Sequence, residues 1–342
     1  MSWPRFLITI VVAFALFALS GYGFILVMDP YQNVPFSPAL PRAPAAQNQR
    51  YAYPALARDR AFDSAIVGTS MIRLLKPARL NALLDARFVN LAMNSATAYE
   101  QVAMNALFLR HHPAPKVMIY ALDDSWCRAA EAPERYTFRD FPEFMFDENR
   151  WNDLLYLFND KALENAVRML ELVRGKRRPK YGRDGYSDFT RDFGAYDLAR
   201  TRQRIYGSTT PPAAPPPVDL EPKAEDVPRM ANLELLPALL DAVPPATRVV
   251  LLIPPMHVWH VHGSAAAYRE CKRQALTVAA RRADLIALDY LLDGPITRED
   301  RNYWDAIHYD DPIAARIERD VAAAVGGGFQ PEAGVVVRRL LD

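Results

Sequence analysis

Cysteine is scarce in this chain: Cys127 and Cys271 are the only two in 342 residues. They are too few and too far apart for a disulfide framework or a zinc ribbon, which leaves open only a single bridge between them. An excess of one charge is also missing. Forty-one Lys+Arg stand against 40 Asp+Glu, a formal net charge of +1, so there is no basic surplus to neutralise a phosphate backbone, and nucleic acid is not an expected partner. Glycine is sparse beside proline, 14 against 28, and no internal repeat is visible. What is present, 51% hydrophobic, 24% charged and 11% aromatic residues, argues against disorder, collagen and a polytopic membrane protein. The remaining class is a globular chain with room for one large or two small domains.

One long apolar run exists. Phe6 to Met28 holds 23 residues without a charge, and a helix of that length crosses a hydrocarbon core about 30 Å thick. The alternatives are a buried core helix and a cleaved signal peptide with small residues at Ala18-Leu19-Ser20-Gly21, but the apolar sequence continues past that point for longer than an ordinary signal core. Residues 1–28 are therefore read as an uncleaved anchor. Arg5 precedes the run and Asp29 follows it, so positive-inside bias puts the N-terminus in the cytoplasm and the remainder outside. Residues 29–58, rich in Pro, Ala and Tyr, are expected to form an extended tether.

From residue 59 onward, short apolar runs alternate with helical patterns. Strands are expected at Ala65–Gly68, Phe88–Ala92, Lys116–Leu122, Arg248–Ile253 and Leu285–Asp289. Helices are expected from Ser70 with a break at Pro77, from Thr97 to His112 with Glu100 completing a capping box, from Ser264 to Ala283, and from Asp311-Pro312 to about Val325. This alternation predicts an α/β domain over 59–342: a three-layer α/β/α arrangement around a mostly parallel sheet. Residues of about 125–247 interrupt the pattern with an aromatic and charged stretch, a helix from about Asn152 to Val173, the basic run Arg174–Lys180 and a proline-rich loop. They read as a helical insertion.

Two short motifs carry chemistry. Gly68-Thr69-Ser70 ends the first strand and places Ser70 at the C-terminal edge of the sheet, where α/β folds bind ligands. Asp305-Ala306-Ile307-His308 sets a carboxylate three residues before an imidazole, a spacing that lets Asp305 hold His308 Nδ1 and leaves Nε2 for a serine proton. Taken alone, Ser70 also reads as a helix cap, and Asp305 and His308 as exposed side chains that solvate the start of the last helix. A third group, His257, His260 and His262, follows the Arg248–Ile253 strand. It lacks a carboxylate or cysteine at metal-ligand spacing, so His257 and His260 are assigned to the rim of a substrate cleft; a metal-dependent hydrolase using the three histidines is the remote alternative, and no metal or cofactor is expected.

The order of an early serine on the first strand, a βαβ body and a late Asp-x-x-His resembles the SGNH (GDSL-type) hydrolase superfamily. The likeness is greatest to its membrane-anchored bacterial branch, which includes alginate-acetylation proteins and the D-alanyl transfer protein of teichoic acid synthesis. It covers about Phe62–Ser125 and Arg248–Val325. The resemblance implies an SGNH/flavodoxin-like fold, with Ser70 as nucleophile, His308 as base and Asp305 as orienting acid. It also implies an oxyanion-binding loop at Asn94-Ser95. There Ser95 and Ala96 stand where that branch has glycines, so that Asn94 is expected to take any left-handed backbone position. Asp123 stands where the family has a hydrogen-bonding Asn. An ionised carboxylate cannot donate to an oxyanion, so Asp123 is protonated, bound to something else, or the mark of a weakened catalyst.

The implied function is a serine esterase or O-acyltransferase acting on an acyl ester of a cell-envelope or exported polysaccharide. The implied location is the bacterial inner membrane, held by residues 6–28, with the main domain in the periplasm, and the implied partner is a membrane-embedded acyl-donor protein. The alternative is a non-catalytic SGNH-like domain that binds polysaccharide or serves as a scaffold in an envelope assembly. Hydrogen-bond reach among Ser70, His308 and Asp305 separates the two.

Overall fold

The computed structural model describes residues 2–37, 42–213, 217–329 and 334–339. The chain forms two compact units, Met1–Leu56 with Phe141–Arg183, and Ala57–Asp140 with Asp184–Asp342.

In the first unit, Trp3–Met28 is one helix of 26 residues with Pro4 in its first turn. It is long and apolar enough to cross a membrane, with mean hydropathy 2.4 over its most apolar window. An extended tether does not follow it. Asp29 accepts the Asn33 and Val34 N–H groups, Tyr31, Val34 and Tyr53 are buried, and residues Gln49–Arg58 are helical. Apolar side chains in the tyrosine- and alanine-rich stretch pack against residues 141–183, as Tyr53 does edge-on against Tyr181. The helix expected from Asn152 to Val173 is two helices, Asp153–Tyr156 and Asp160–Val173, because Asn159 accepts the Ala162 N–H and starts a new cap.

The second unit is an α/β fold built on five parallel strands: β1 (Ser64–Val67), β2 (Phe88–Asn90), β3 (Val117–Ala121), β4 (Arg248–Ile253) and β5 (Leu285–Asp289). They lie in the order β2-β1-β3-β4-β5. A sixth, β6 (Val336–Arg339), which the sequence pattern did not announce, pairs antiparallel with β5. The five parallel strands are buried on both faces apart from the first residue of β4, as a sheet covered by helices requires. On one face Ile66, Ile119, Val250 and Leu288 share a core with Leu80, Ile317 and Val321 from the helices Pro77–Leu83 and Asp311–Val325. On the other, Tyr120 reaches Asn105 of helix Ala98–His111 through its hydroxyl at 2.7 Å. That helix starts with the expected capping box of Thr97 and Glu100.

Other boundaries move by small physical margins. The last helix is capped by Asp310, one residue earlier than read, through the Ile313 N–H. The segment after Ser70 is a three-residue 3₁₀ turn, Ser70–Ile72, and the α-helix begins only at Pro77. Proline forbids the residue before it the helical region, so Lys76 is extended. Of the insertion, residues 141–183 belong to the first unit and the rest to the second; residues 214–216 of its proline-rich loop lie outside the described residues.

Candidate active site

The strand order reverses between β1 and β3, the switch point at which an open parallel sheet offers a crevice beyond its strand ends. Gly68 leaves β1 there. A Cβ at this position would meet Ile72 Cδ1 at 2.7 Å and Ala121 Cβ at 2.8 Å, so the turn can press against β3 only without a side chain. Thr69 caps the 3₁₀ turn through the Met71 N–H, and Ser70 follows on the crevice side.

Ser70, His308 and Asp305 come together. His308 Nε2 lies 2.9 Å from Ser70 Oγ, and His308 Nδ1 lies 2.7 Å from Asp305 Oδ2. With Nδ1–H donated to the carboxylate, Nε2 is the acceptor for the serine hydroxyl. Burial raises the Asp305 carboxyl, but its bond to the His308 ring and the backbone N–H groups of Ile307 and His308 outweigh burial and hold it below the ordinary carboxylate value. The loop is closed by the Trp304 N–H on the His308 carbonyl and by the His257 N–H on the Ala306 carbonyl. The ring of Phe189 stands against the His308 imidazole with centroids 5.1 Å apart.

At the end of β2 the expected left-handed position exists, but Ser95 occupies it and not Asn94. Ser95 has φ +51°, a conformation that costs a non-glycine residue roughly 1–2 kcal/mol. Asn94 instead accepts a bond from Arg73 Nη1 through Oδ1. Arg73 is buried, and its guanidinium lies 4.9 Å from the centre of the Phe189 ring. It thereby touches both the Asn94-Ser95 loop and the aromatic ring that backs His308. Sequence reasoning missed Arg73 and Phe189; an arginine three residues after the serine carries no periodic signal, and Phe189 arrives from the insertion.

Asp123, at the end of β3, is buried and bound on both oxygens. Thr69 Oγ1 donates to Oδ2, and the Ser125 N–H and Oγ–H donate to Oδ1 at 3.0 and 2.7 Å. Burial pushes its carboxyl above the ordinary value against the pull of those donors. Of the three readings for Asp123, the geometry is that of a group bound to something else: it ties the turn that carries Ser70 to the short helix Asp124–Cys127, which it caps. That helix is fastened in turn by a disulfide from Cys127 to Cys271 in helix Ala265–Ala279, with Cα atoms 5.3 Å apart.

The crevice beside Ser70 has a volume of about 620 Å³, and its walls include Ser95, Asp123, Ser125, Arg128, Tyr136 and Phe138. Tyr136 and Phe138 belong to the aromatic stretch of the insertion and were not singled out as site residues by sequence.

His257 and His260 do not line this crevice. His257 is buried, accepts the Trp259 N–H on Nδ1, and faces Asp300 Oδ1 at 3.2 Å; burial lowers its pKa despite Asp300. His260 lies 3.4 Å from Asp124, and His262 Nδ1 is 2.7 Å from the Trp259 carbonyl. Each of the three imidazoles has its own partner, because the residues after β4 coil into a short helix, Val258–Val261, where extended backbone would have aligned His260 with His262.

Compared with known proteins, the chain matches no family model and no curated sequence.

Proposed function

We propose that this chain is a membrane-anchored serine esterase or O-acyltransferase of SGNH type. The observation that carries the reading is the hydrogen-bonded chain Ser70–His308–Asp305 opening on a crevice at the switch point of the sheet. In the mechanism, Ser70 Oγ attacks an acyl carbonyl while its proton passes to His308 Nε2. The Asp305 carboxylate stabilises the imidazolium, and the Ser70 N–H together with the Ser95 loop supplies donors for the oxyanion. His308 then protonates the departing alkoxide, and the ester on Ser70 remains. A water or sugar hydroxyl gives its proton to His308 as it attacks that ester, and His308 passes the proton to the departing Ser70 Oγ, which restores the free serine and the neutral imidazole.

Those contacts support an enzyme over a non-catalytic binder of the same fold, whose side chains need no such alignment. An acyl ester of an envelope or exported polysaccharide is the proposed substrate, by analogy to the resembling branch; a membrane-embedded protein is the proposed acyl donor. The Cys127–Cys271 disulfide supports an oxidising compartment such as the bacterial periplasm for the main domain.

The test is hydrolysis of p-nitrophenyl acetate and labelling by a fluorophosphonate, using the full chain in detergent beside Ser70→Ala. Release and labelling that vanish in a folded Ser70→Ala variant bear the proposal out. Equal rates in both proteins with no label on Ser70 overturn it.

A further inference from the structure

The first unit carries an apolar surface that the proposed chemistry does not use. Trp151, Leu155, Tyr156 and Phe158 expose 64%, 81%, 55% and 62% of their surface, and Phe36 beside Trp151 exposes 59%. Exposed apolar groups gathered in this way mark a surface that meets a partner or a membrane. Their position along the helix Trp3–Met28 identifies which. The Tyr22 hydroxyl donates to the Leu154 carbonyl at 2.7 Å, and the Tyr22 and Phe158 rings meet edge-on at 5.5 Å.

The depth follows from length. Every residue from Trp3 to Phe17 is exposed, and packing against the rest of the unit begins at Ala18. Arg5 keeps the hydrocarbon from starting before Phe6, and from Phe6 to Phe17 twelve residues at about 1.5 Å each cover about 18 Å, whereas a hydrocarbon core is about 30 Å thick. A spanning helix therefore needs about eight more residues, which takes it to about Ile25. The segment bonded to Tyr22 then lies within about one helical turn of the level where hydrocarbon gives way to headgroups, the depth that Trp and Tyr favour.

We propose that Trp151–Phe158, with Phe36, is a membrane foot: a short interfacial segment seated in the leaflet on the Met28 side of the bilayer that Trp3–Met28 crosses. Its occupant is phospholipid, with acyl chains against Leu155 and Phe158 and headgroups at the tyrosine hydroxyl and indole. The foot gives the unit a second hold on the membrane, so that the helix does not act as a free leash. The inference rests on the membrane-spanning reading of that helix and is independent of the chemistry proposed for Ser70.

The experiment uses the full chain in nanodiscs of phosphatidylethanolamine and phosphatidylglycerol, with an environment-sensitive fluorophore on Leu155→Cys, on Phe14→Cys within the span, or on Arg178→Cys as an exposed control. The native cysteines are paired and do not react. The expected result is blue-shifted emission at 155, quenched more by lipid spin-labelled near the headgroup than by lipid labelled deep in the chain. The label at 14 is expected to show the reverse depth preference, and the label at 178 to stay water-like. Emission at 155 that aqueous iodide quenches and lipid labels do not overturns the foot, as does shielding from both quenchers, which would mean a protein cover. Loss of lipid quenching at 14 overturns the spanning reading itself, and the foot with it.

Discussion

Asp305 holds His308 at two places. One carboxylate oxygen, Oδ2, takes the imidazole Nδ1 at 2.7 Å, and the other, Oδ1, accepts the backbone N–H groups of Ile307 and His308, both at 2.9 Å. The residue that sets the ring's tautomer therefore also sets the turn on which the ring is mounted. Asp305→Asn keeps an acceptor for the backbone but can present an N–H to Nδ1, which favours the wrong tautomer. Ester turnover is expected to fall on the order of 10²- to 10⁴-fold, with thermal stability little changed. Steady-state rates read beside a melting curve check this, and an undiminished rate would remove Asp305 from the mechanism.

Gly68→Ala tests the contact between the serine turn and β3. The added methyl meets Ile72 and Ala121 at distances below van der Waals contact, and Ala121 Cβ cannot swing aside. Destabilisation of about 1–3 kcal/mol is expected, as for other overpacked sites, along with a loss of Ser70-dependent activity as the turn shifts. Denaturant unfolding gives the first quantity and esterase assays the second. A neutral effect on both would mean that the turn does not need the close approach.

Removing the disulfide with Cys127→Ser and Cys271→Ser together releases a cross-link spanning 144 residues of sequence. The expected cost is about 2–5 kcal/mol, chiefly through the freed unfolded chain. Because Cys127 ends the helix that Asp123 caps, activity is expected to be more heat-sensitive than in the parent. A melting temperature that does not respond to reductant in the parent would show that the bridge contributes nothing.

His257 sets a pH dependence of stability. Its folded pKa is lowered, first by burial, with Asp300 only partly offsetting it. The unfolded chain therefore binds the proton more readily than the folded one between the folded value and about 6.5. Stability from this group is complete above about 6.5 and declines as pH falls through that window. The parent is expected to lose melting temperature between pH 7 and 5 more steeply than His257→Gln, whatever the absolute offset between the two. Parallel curves would assign the acid sensitivity elsewhere.

Local signals in the sequence determined much of this protein. The strand Ser64–Val67 reads as an unbroken apolar run from Ala65 to Val67 because it is buried on both faces, and Thr97 with Glu100 specifies a helix start through bonds within four residues. Asp305 and His308 are close enough in sequence for one turn to join them. Such features depend on neighbours in the chain, so periodicity and spacing reveal them. The join between Ser70 and His308, 238 residues apart, is different. Sequence order together with a family resemblance raised it, but only the packing of β1 and the last helix on a common sheet decides it.

Other features were decided by tertiary structure alone. Ser95, and not Asn94, takes the left-handed backbone, a strain supported by its surroundings rather than by residue preference. Asp123 serves Thr69 and Ser125, because burial next to two donors fixes what a lone carboxylate does. Residues 29–58, which lack periodicity and read as a tether, do not form one where they are described (38–41 lie outside the described residues): Tyr31, Ala45, Ala46, Ala52 and Tyr53 are buried, in a unit completed by a segment about a hundred positions later. Local sequence encodes hydrogen-bond patterns and apolar faces; which buried polar group meets which partner depends on the distant segments that close around it.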